Sequence, residues 1–368
     1  MDKTPTPFSV DITPDWQGLL RCLRREGTPD RVYFIELLLD EEVKAEVAGR
    51  FRLLDDVPPS DPFYRQKREL RVQRFLGYDY VRCGLDEIGM PLDWTAVEDT
   101  ADLRRGEGRE YINEHRGPIT TWAEFETYPW PDPEKLPSQN LQWFQEHLPE
   151  DMCIVAHSGF AHFAEFLSAL MGYETLCYAL FDDRELVAAI SQRLWDISQG
   201  ILRRILEFDR VKVVWGSDDM GFRSGTLISP DDLREFVLPG HKLMAELAHA
   251  AGRPYLLHSC GKLDSIMDDL LEEVRIDGLH SFEDTIRTVE ETKEQYGHRI
   301  AVLGGIDVDF LCRSDKEAIR RRVRATLEQC QPGGGYCLGT GNSVANYIPL
   351  DHYLVMLDEG RRFEKVKA

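Results

Sequence analysis

A histidine and two cysteines form the pattern in this sequence with the clearest chemistry. His258 and Cys260 are separated by one residue in the segment PYLLHSC, and Cys337 follows much later in the chain. Side chains two residues apart in an extended chain point to the same side. Imidazole and thiolate are zinc ligands, and three protein ligands leave a fourth coordination position open. The spacing indicates an open metal site, a closed zinc site or, since cysteine is also a small core residue, no metal.

Two acidic residues and a second histidine extend the set of candidates. Asp218 and Asp219 follow the apolar run VKVVWG after a single serine, and His157 follows MCIVA. Adjacent carboxylates can orient a metal-ligating histidine or a hydroxylated substrate, but they can equally cap the turn that follows. His157 is a candidate for acid/base chemistry, with a structural hydrogen bond as the alternative.

These residues stand at the ends of short apolar runs, and the runs alternate with longer amphipathic stretches. The eight runs are 31–37, 78–85, 152–158, 211–216, 254–259, 276–281, 300–304 and 335–339. Such alternation is typical of βα units around a parallel sheet. Eight units predict an α/β fold, the (β/α)8 TIM barrel, in which chemistry lies at the C-terminal ends of the strands.

Helix signals between the runs support this architecture. Acidic first turns and apolar residues three or four apart predict helices over 182–207, 264–273 and 315–330. Ser229 followed by Pro230 predicts a capped helix start, and Gly252 predicts its end, so one helix is expected between them.

Two segments do not fit the repeat. Residues 1–30 are predicted to form helices that cover the bottom of the barrel. Residues 86–150, rich in Pro, Trp and charge, are an insertion between the second and third strands, either a lid or a structural buttress, with a hairpin expected around 109–122. The whole chain, 1–368, is then predicted to be one barrel domain.

Composition narrows the function classes. Lys and Arg number 44 against 65 Asp and Glu, which gives a net charge of −21 and speaks against nucleic acid as a partner. No apolar run has the roughly 18 to 20 residues of a membrane helix, and no signal peptide is visible. Eight cysteines without close pairing are not typical of a secreted disulfide framework. A cytoplasmic protein with reduced thiols is expected.

The stretch 215–262, WGSDDMGFRSGTLISPDDLREFVLPGHKLMAELAHAAGRPYLLHSCGK, closely resembles the uroporphyrinogen decarboxylase superfamily. Within it, the chain is most similar to the zinc-dependent, corrinoid-linked methyltransferases, which include the methylcobalamin:coenzyme M type. The resemblance implies that His258, Cys260 and Cys337 are zinc ligands. It also implies an acidic fourth ligand after the sixth strand, at Glu283 or at the adjacent Asp284.

The same resemblance implies an activity and partners. Zn²⁺ would bind a thiol or related acceptor as a thiolate, which would take a methyl group from a corrinoid carried by a separate protein. Asp218 and Asp219 would orient the substrate, and His157 would handle a proton. The substrate is then a small-molecule methyl acceptor, and the sequence leaves a homodimer open.

Two alternatives remain from the sequence. One is a cofactor-free decarboxylase acting on uroporphyrinogen or another carboxylated heterocycle. The decarboxylases proper carry an arginine pair near the first strand, whereas the stretch RVYFIELLLDEEVKAEVAGRF here has none just beyond the strand and is acidic instead. The other alternative is a non-catalytic barrel with a structural zinc ion.

Overall fold

The structure is a computed structural model that describes residues 6–86, 89–99, 101, 103, 109–113, 115–157 and 161–363. Within these residues, seven parallel strands form one sheet in the order β1-β4-β5-β8-β9-β10-β11. They are β1 (Tyr80–Cys83), β4 (Cys153–His157), β5 (Val211–Ser217), β8 (Tyr255–His258), β9 (Gly278–His280), β10 (Ala301–Leu303) and β11 (Tyr336–Cys337). Each lies inside one of the predicted apolar runs or within one residue of it, and the sheet follows chain order as parallel βα units require.

The first predicted strand, 31–37, closes the ring without forming a full ladder. Phe34 makes an isolated parallel bridge to Leu338, and the Ile35 amide donates to the Leu338 carbonyl at 2.9 Å. On its other side, the Glu36 amide donates to the hydroxyl of Tyr80 at 2.9 Å. The segment therefore occupies the eighth position between β11 and β1, but a side chain rather than backbone links it to β1.

Helices surround the sheet. They are α1 (Trp16–Leu23), α2 (Glu41–Arg50), α3 (Tyr64–Leu76), α4 (Trp122–Thr127), α5 (Gln139–His147), α6 (Phe163–Met171), α7 (Tyr173–Asp182), α8 (Arg184–Ile205), α9 (Pro230–Phe236), α10 (Leu238–Ala250), α11 (Val289–Tyr296), α12 (Val308–Arg313), α13 (Lys316–Cys330) and α14 (Leu350–Arg362). The strands they cover are buried on both faces, which is typical of parallel sheets. Within the described residues no helix has both the length and the apolar character needed to cross a bilayer.

Two of the predicted helices differ from the structure. Ser229 caps a helix as predicted, but the helix breaks at Val237, between α9 and α10. Pro239 lacks the N–H needed to continue the ladder, and its ring would clash with the carbonyl four residues before it in a continuous helix, which explains the break. The helix predicted over 264–273 is reduced to a wide π-helical turn, Asp269–Val274.

The insertion contains a hairpin with a different partner from the one expected. β2 (Trp94–Val97) pairs antiparallel with β3 (Arg109–Ile112), so the partner precedes 109–112 rather than following it. Pro118 has no N–H to offer a strand ladder, and the next amide, that of Ile119, donates to the Leu170 carbonyl at 2.8 Å. The segment after β3 is thereby tied to α6 instead of folding back on β3.

The N-terminal segment covers the amino ends of the strands, as predicted. The Asp15 amide donates to Asp79, which directly precedes β1, at 2.6 Å. The Cys22 carbonyl accepts from the amide of Gly335, which directly precedes β11, at 2.8 Å. Helix α1 therefore lies across the bottom of the barrel, and the opposite end remains for the site.

Candidate metal centre and the adjoining cavity

Three metal-binding side chains meet where β5 and β8 end. The Nε2 atom of His258 lies 3.4 Å from Sγ of Cys260 and 3.6 Å from Oδ1 of Asp219. One donor atom from each of the three residues lies within 4.8 Å of the others. Ligand atoms bound tetrahedrally to one zinc ion stand about 3.3 to 3.8 Å apart, given the usual bond lengths. The spacing of these donors therefore fits a cation between them.

The backbone around the two strand ends fixes this arrangement. Ser217 is the register partner of His258, and the Asp218 amide donates to the His258 carbonyl at 2.9 Å. The Cys260 amide then donates to Asp219 at 3.1 Å, so this carboxylate also holds the turn after β8. At Gly261, with φ of +83°, a side chain would lie 2.2 Å from neighbouring backbone, which only glycine avoids.

The tautomer of His258 follows from a chain of hydrogen bonds behind it. Nδ1 of His258 lies 2.7 Å from Nδ1 of His280, and Nε2 of His280 lies 3.2 Å from the Thr340 carbonyl oxygen. Since a carbonyl only accepts, His280 carries its proton on Nε2. Burial and the neighbouring His258 hold the pKa of His280 well below its usual range, so its Nδ1 is an acceptor. His258 therefore donates from Nδ1, and its Nε2 lone pair faces Asp219 and Cys260.

The acidic and thiol groups of the site have shifted pKa values. Burial tends to raise the pKa of Asp219, but the contacts with His258 and Cys260 outweigh it and lower that pKa to about 2. Burial and the Asp219 charge raise the pKa of the Cys260 thiol to about 12. A carboxylate, a sulfur and an imidazole lone pair thus converge, and their electron pairs repel one another unless a proton or metal ion lies between them.

A residue not assigned from the sequence completes this cluster. Asn342, which follows β11, donates from Nδ2 to Sγ of Cys260 at 3.3 Å, and the Ser281 hydroxyl lies 3.8 Å from the same sulfur. The sequence places Asn342 after the eighth strand but gives no reason to favour it. Its position at a strand end is the one signal that identifies it as a candidate.

Cys337 is not brought to this cluster. It lies fully buried in β11, and its thiol contacts that of Cys22 on α1. That contact and burial hold the pKa of Cys337 well above its usual range. Strands of a barrel are tilted, so a residue on β11 can lie nearer the bottom than its ladder position suggests. Five residues further on, Asn342 reaches Cys260 instead.

The two acidic candidates after β9 also lie elsewhere. Glu283 is exposed, and its backbone bridges to Arg287. Asp284 accepts from Arg322 of α13 at 3.3 Å. Among the described residues, neither carboxylate belongs to the group of converging donors. Half of the expected ligand set, His258 and Cys260, is thus assembled, and Asp219 stands beside it.

Asp218, expected to orient substrate, is fully buried with its oxygens already engaged. It accepts from the amides of Ala164 and Glu165 at 2.9 and 3.0 Å, and from Nε2 of His241 at 2.9 Å. These contacts hold the first turn of α6 and helix α10 against the end of β5. The two adjacent acids therefore have different surroundings, since Asp218 binds structural donors and Asp219 faces the cluster.

A cavity of about 960 Å³ reaches Ser217, the register partner of His258. Its lining includes Glu36, Tyr80, Arg82, His157, Trp215 and Ser217. Burial, Arg82 and His162 lower the pKa of His157 to about 3, so this imidazole is neutral at physiological pH. The cavity is large enough for a small-molecule ligand.

The fold and the site define an α/β barrel with a cluster of metal-binding donors at the C-terminal ends of its strands, where barrel enzymes carry out chemistry. The chain belongs to the uroporphyrinogen decarboxylase (URO-D) family, which matches residues 80–363. The family resemblance noted from the sequence is thereby confirmed.

Relatives of known structure or function agree with the fold. A methylated-thiol–coenzyme M methyltransferase from Methanosarcina mazei is 32% identical over 130 residues, which are 35% of this chain and 32% of the relative. The chain therefore aligns with about a third of that relative's length. The solved structure of a methyltransferase from Methanosarcina mazei superposes with a TM-score of 0.62 and 18% identity, covering 94% of this chain and 97% of the other. This likeness confirms the predicted barrel fold.

Proposed function

We propose that this protein is a methyltransferase that moves a methyl group between a corrinoid protein and a thiol or related acceptor. In this proposal Asp219, His258 and Cys260 hold a zinc ion that binds the acceptor. The convergence of these three donors within 4.8 Å is the observation that carries the proposal. Family membership and the partial match to a methylated-thiol–coenzyme M methyltransferase support it.

The donor set suits zinc in type and in charge. A carboxylate, a thiolate and a neutral imidazole carry two negative charges, which balance Zn²⁺. The sequence suggested two thiolates and an imidazole, and the Asp219 carboxylate gives the same charge as a second thiolate would. Zinc, when bound, lowers the pKa of a coordinated thiol so that it is a thiolate nucleophile at neutral pH.

The chain's own residues orient and tune this centre. His280 accepts the Nδ1 proton of His258 and so directs the Nε2 lone pair to the ion. The Asn342 amide donates to Cys260 and lowers the electron density on its sulfur. With a pKa of about 3, His157 is too weak a base to take a proton at neutral pH, so we assign it a hydrogen bond to the substrate.

The transfer step is a displacement at carbon. The acceptor sulfur would form the new bond to the methyl carbon, the electron pair of the cobalt–carbon bond would stay with the corrinoid, and the thiol proton would leave to solvent. The corrinoid partner would dock over the C-terminal ends of the strands. Phe222, in the hairpin of β6 (Gly221–Phe222) and β7 (Gly225–Thr226) directly after Asp219, is 63% exposed and offers apolar surface there.

Metal analysis combined with methyl transfer tests the proposal. Purified protein is expected to hold one zinc ion and to demethylate methylcobalamin in the presence of 2-mercaptoethanol, followed by the cobalamin absorbance. Cys260→Ala and Asp219→Asn should lose both properties, and a matched control, Cys312→Ala on α12, should keep both.

Full activity of Cys260→Ala, or activity unchanged after removal of all metal by a chelator, would contradict the zinc proposal. Consumption of uroporphyrinogen by chelator-treated protein would identify the cofactor-free decarboxylase alternative. A zinc ion that remains bound but cannot be reached by added thiols would identify the structural-zinc alternative. Cobalt substitution distinguishes that case, because thiol binding changes the visible spectrum of Co²⁺.

A further inference from the structure

We infer that Arg82 and Trp215 form a subsite for an anionic group of the substrate, such as a carboxylate or sulfonate. This inference rests on the proposed function for the identity of the reacting end of that molecule. Anion binding itself requires no metal, so the two proposals can fail separately.

Arg82 is a half-buried cation with no carboxylate partner among the described residues. It projects from β1 into the cavity, and its guanidinium carbon lies 5.1 Å from the centroid of the Trp215 ring. Its Nε is buried without a hydrogen-bond partner among the described residues, and no described carboxylate forms an ion pair with it. By contrast, Arg74 on the outer surface is held by both oxygens of Asp151. A half-buried arginine in this state favours a ligand that brings negative charge.

Trp215 offers a second donor in the same place. It is almost completely buried, and its Nε1 also lacks a hydrogen-bond partner among the described residues. Buried polar groups are nearly always hydrogen-bonded, so two orphaned donors in contact indicate missing acceptors. A carboxylate or sulfonate has several acceptor oxygens and can serve both Arg82 and Trp215.

The carboxyl groups of the cavity leave Arg82 without an ion-pair partner among the described residues. Burial lowers the pKa of Arg82 to about 10, which keeps the guanidinium charged at neutral pH. Burial raises the pKa of Glu36 to about 8, so this carboxyl is mostly protonated. Glu69 forms an ion pair with Lys44 at 2.9 Å. An incoming anion therefore meets a half-buried guanidinium that no described carboxylate contacts.

The cavity connects this subsite to the donor cluster. Its lining runs from Arg82 to Ser217, whose register partner on the adjacent strand is His258. Neighbouring strands are about 4.8 Å apart, so Ser217 lies directly beside the cluster. The Trp215 ring also packs edge-on against His280, with centroids 5.6 Å apart. One small molecule can therefore place its anion at Arg82 and its sulfur at the ion, which defines the substrate class as short anionic thiols or methyl thioethers.

Equilibrium binding of thiol-free and thiol-bearing probes tests this inference. The thiol-free probe is propane-1-sulfonate, and the thiol pair is 3-mercaptopropionate and neutral 3-mercaptopropan-1-ol, all measured by calorimetry. We expect the wild type to bind propane-1-sulfonate equally before and after chelator treatment, and to prefer the anionic thiol at least tenfold. Arg82→Met should weaken sulfonate binding at least tenfold and abolish the preference. The control Arg65→Met, an exposed arginine at the same cavity, should leave both unchanged.

Trp215→Phe keeps a ring against the guanidinium and removes only the N–H, so it tests the subsite if Arg82→Met fails to fold. It should weaken sulfonate binding severalfold. The inference is overturned if wild type binds both thiols equally, or if folded variants at both positions keep the wild-type preference. Thiol binding that is unchanged by chelation, with sulfonate binding intact, would instead overturn the metal centre and leave this subsite supported.

Discussion

His258 and His280 meet through their Nδ1 atoms at 2.7 Å, and this contact decides which nitrogen of His258 faces the metal-binding cluster. A metal-bound histidine usually donates its second N–H to a carboxylate or a carbonyl. Here a second imidazole, kept neutral by burial, takes that place and donates a hydrogen bond from its own Nε2–H to the Thr340 carbonyl. The orientation of the proposed ligand therefore depends on a residue that does not contact the ion.

Replacing His280 should weaken zinc binding without removing a ligand. His280→Phe deletes the acceptor for His258, and we expect zinc affinity to fall about 10- to 100-fold. His280→Asn keeps an acceptor oxygen close to the Nδ1 position and should recover much of the affinity. Competition with a chromophoric chelator measures both, with His352→Asn, beside α12, as the control. Equal zinc affinity in the Phe and Asn variants would show that the contact only packs the core.

Cys337 and Cys260 should respond differently to the same substitution. Cys260→Ala removes a proposed ligand, so zinc is expected to fall below one tenth of an equivalent. Cys337→Ala removes a buried thiol next to Cys22, so we expect one zinc to remain and stability to fall by about 1 to 2 kcal/mol. Elemental analysis and urea unfolding measure the two effects. A zinc-free Cys337→Ala protein with native stability would return Cys337 to the ligand set.

The architecture was predictable because it follows from local pattern. Apolar runs of strand length alternating with amphipathic stretches specify βα units, and seven of the eight runs became strands of one parallel sheet. The departures have local causes that pattern does not reveal. Pro239 divides one predicted helix into α9 and α10, and Pro118 sends the chain after β3 to α6 rather than into a hairpin.

The site was predictable only where it depends on one strand. His258 and Cys260 are two apart on the same strand, so spacing alone places them together. The contribution of β11 depends on barrel tilt, which separates Cys337 from this pair and brings Asn342 to it. Arg82 was not predictable as a binding residue, because a single arginine in an apolar run does not indicate a binding site. Its lack of a hydrogen-bond partner at Nε is visible only in the structure.

Asn342→Cys should strengthen the cluster. The Asn342 amide nitrogen lies 3.3 Å from the Cys260 sulfur, so a cysteine here would place a second thiolate near the ion. We expect zinc affinity to rise at least tenfold, because soft thiolates favour zinc, and added thiols to bind more weakly because the open position is filled. Chelator competition and the spectrum of the cobalt form measure both effects. Unchanged affinity for zinc would show that position 342 lies outside coordination range.

Substitutions of the adjacent residues Asp218 and Asp219 should have different effects. We expect the change at Asp218 to lower stability and the change at Asp219 to remove zinc. Asp218→Asn places an amide NH₂ among donors at Ala164, Glu165 and His241, so we expect a loss of about 2 to 4 kcal/mol in unfolding free energy with zinc retained. Asp219→Asn should lose zinc at little cost in the stability of the metal-free protein. Urea unfolding of metal-free samples and elemental analysis of loaded samples distinguish them. Loss of zinc from both variants would not by itself distinguish the role of Asp218 from that of Asp219. Equal unfolding free energies of the two metal-free variants would contradict the assignment of a structural role to Asp218 and a metal-binding role to Asp219.

Glu36 should make stability depend on pH. Thr340 donates its single hydroxyl proton to the Asn342 carbonyl, so its oxygen accepts from a protonated Glu36 carboxyl at 2.5 Å. Burial raises the pKa of Glu36 from 4.5 to about 8. Between these values the native state binds more protons than the unfolded state, so this group's contribution to stability falls as pH rises from about 4.5 to 8, by at most about 5 kcal/mol.

Glu36→Gln tests this directly, because the Gln amide can donate to Thr340 at every pH. The free energy of unfolding in urea, measured from pH 5 to 8.5, should decline less steeply for Glu36→Gln than for the wild type. The variant should gain stability relative to the wild type as pH rises, since only the wild type must ionise a buried carboxyl. Taking the difference between the two proteins cancels the other titrating groups, which they share. Parallel curves would show that Glu36 is already ionised in the native protein at pH 5.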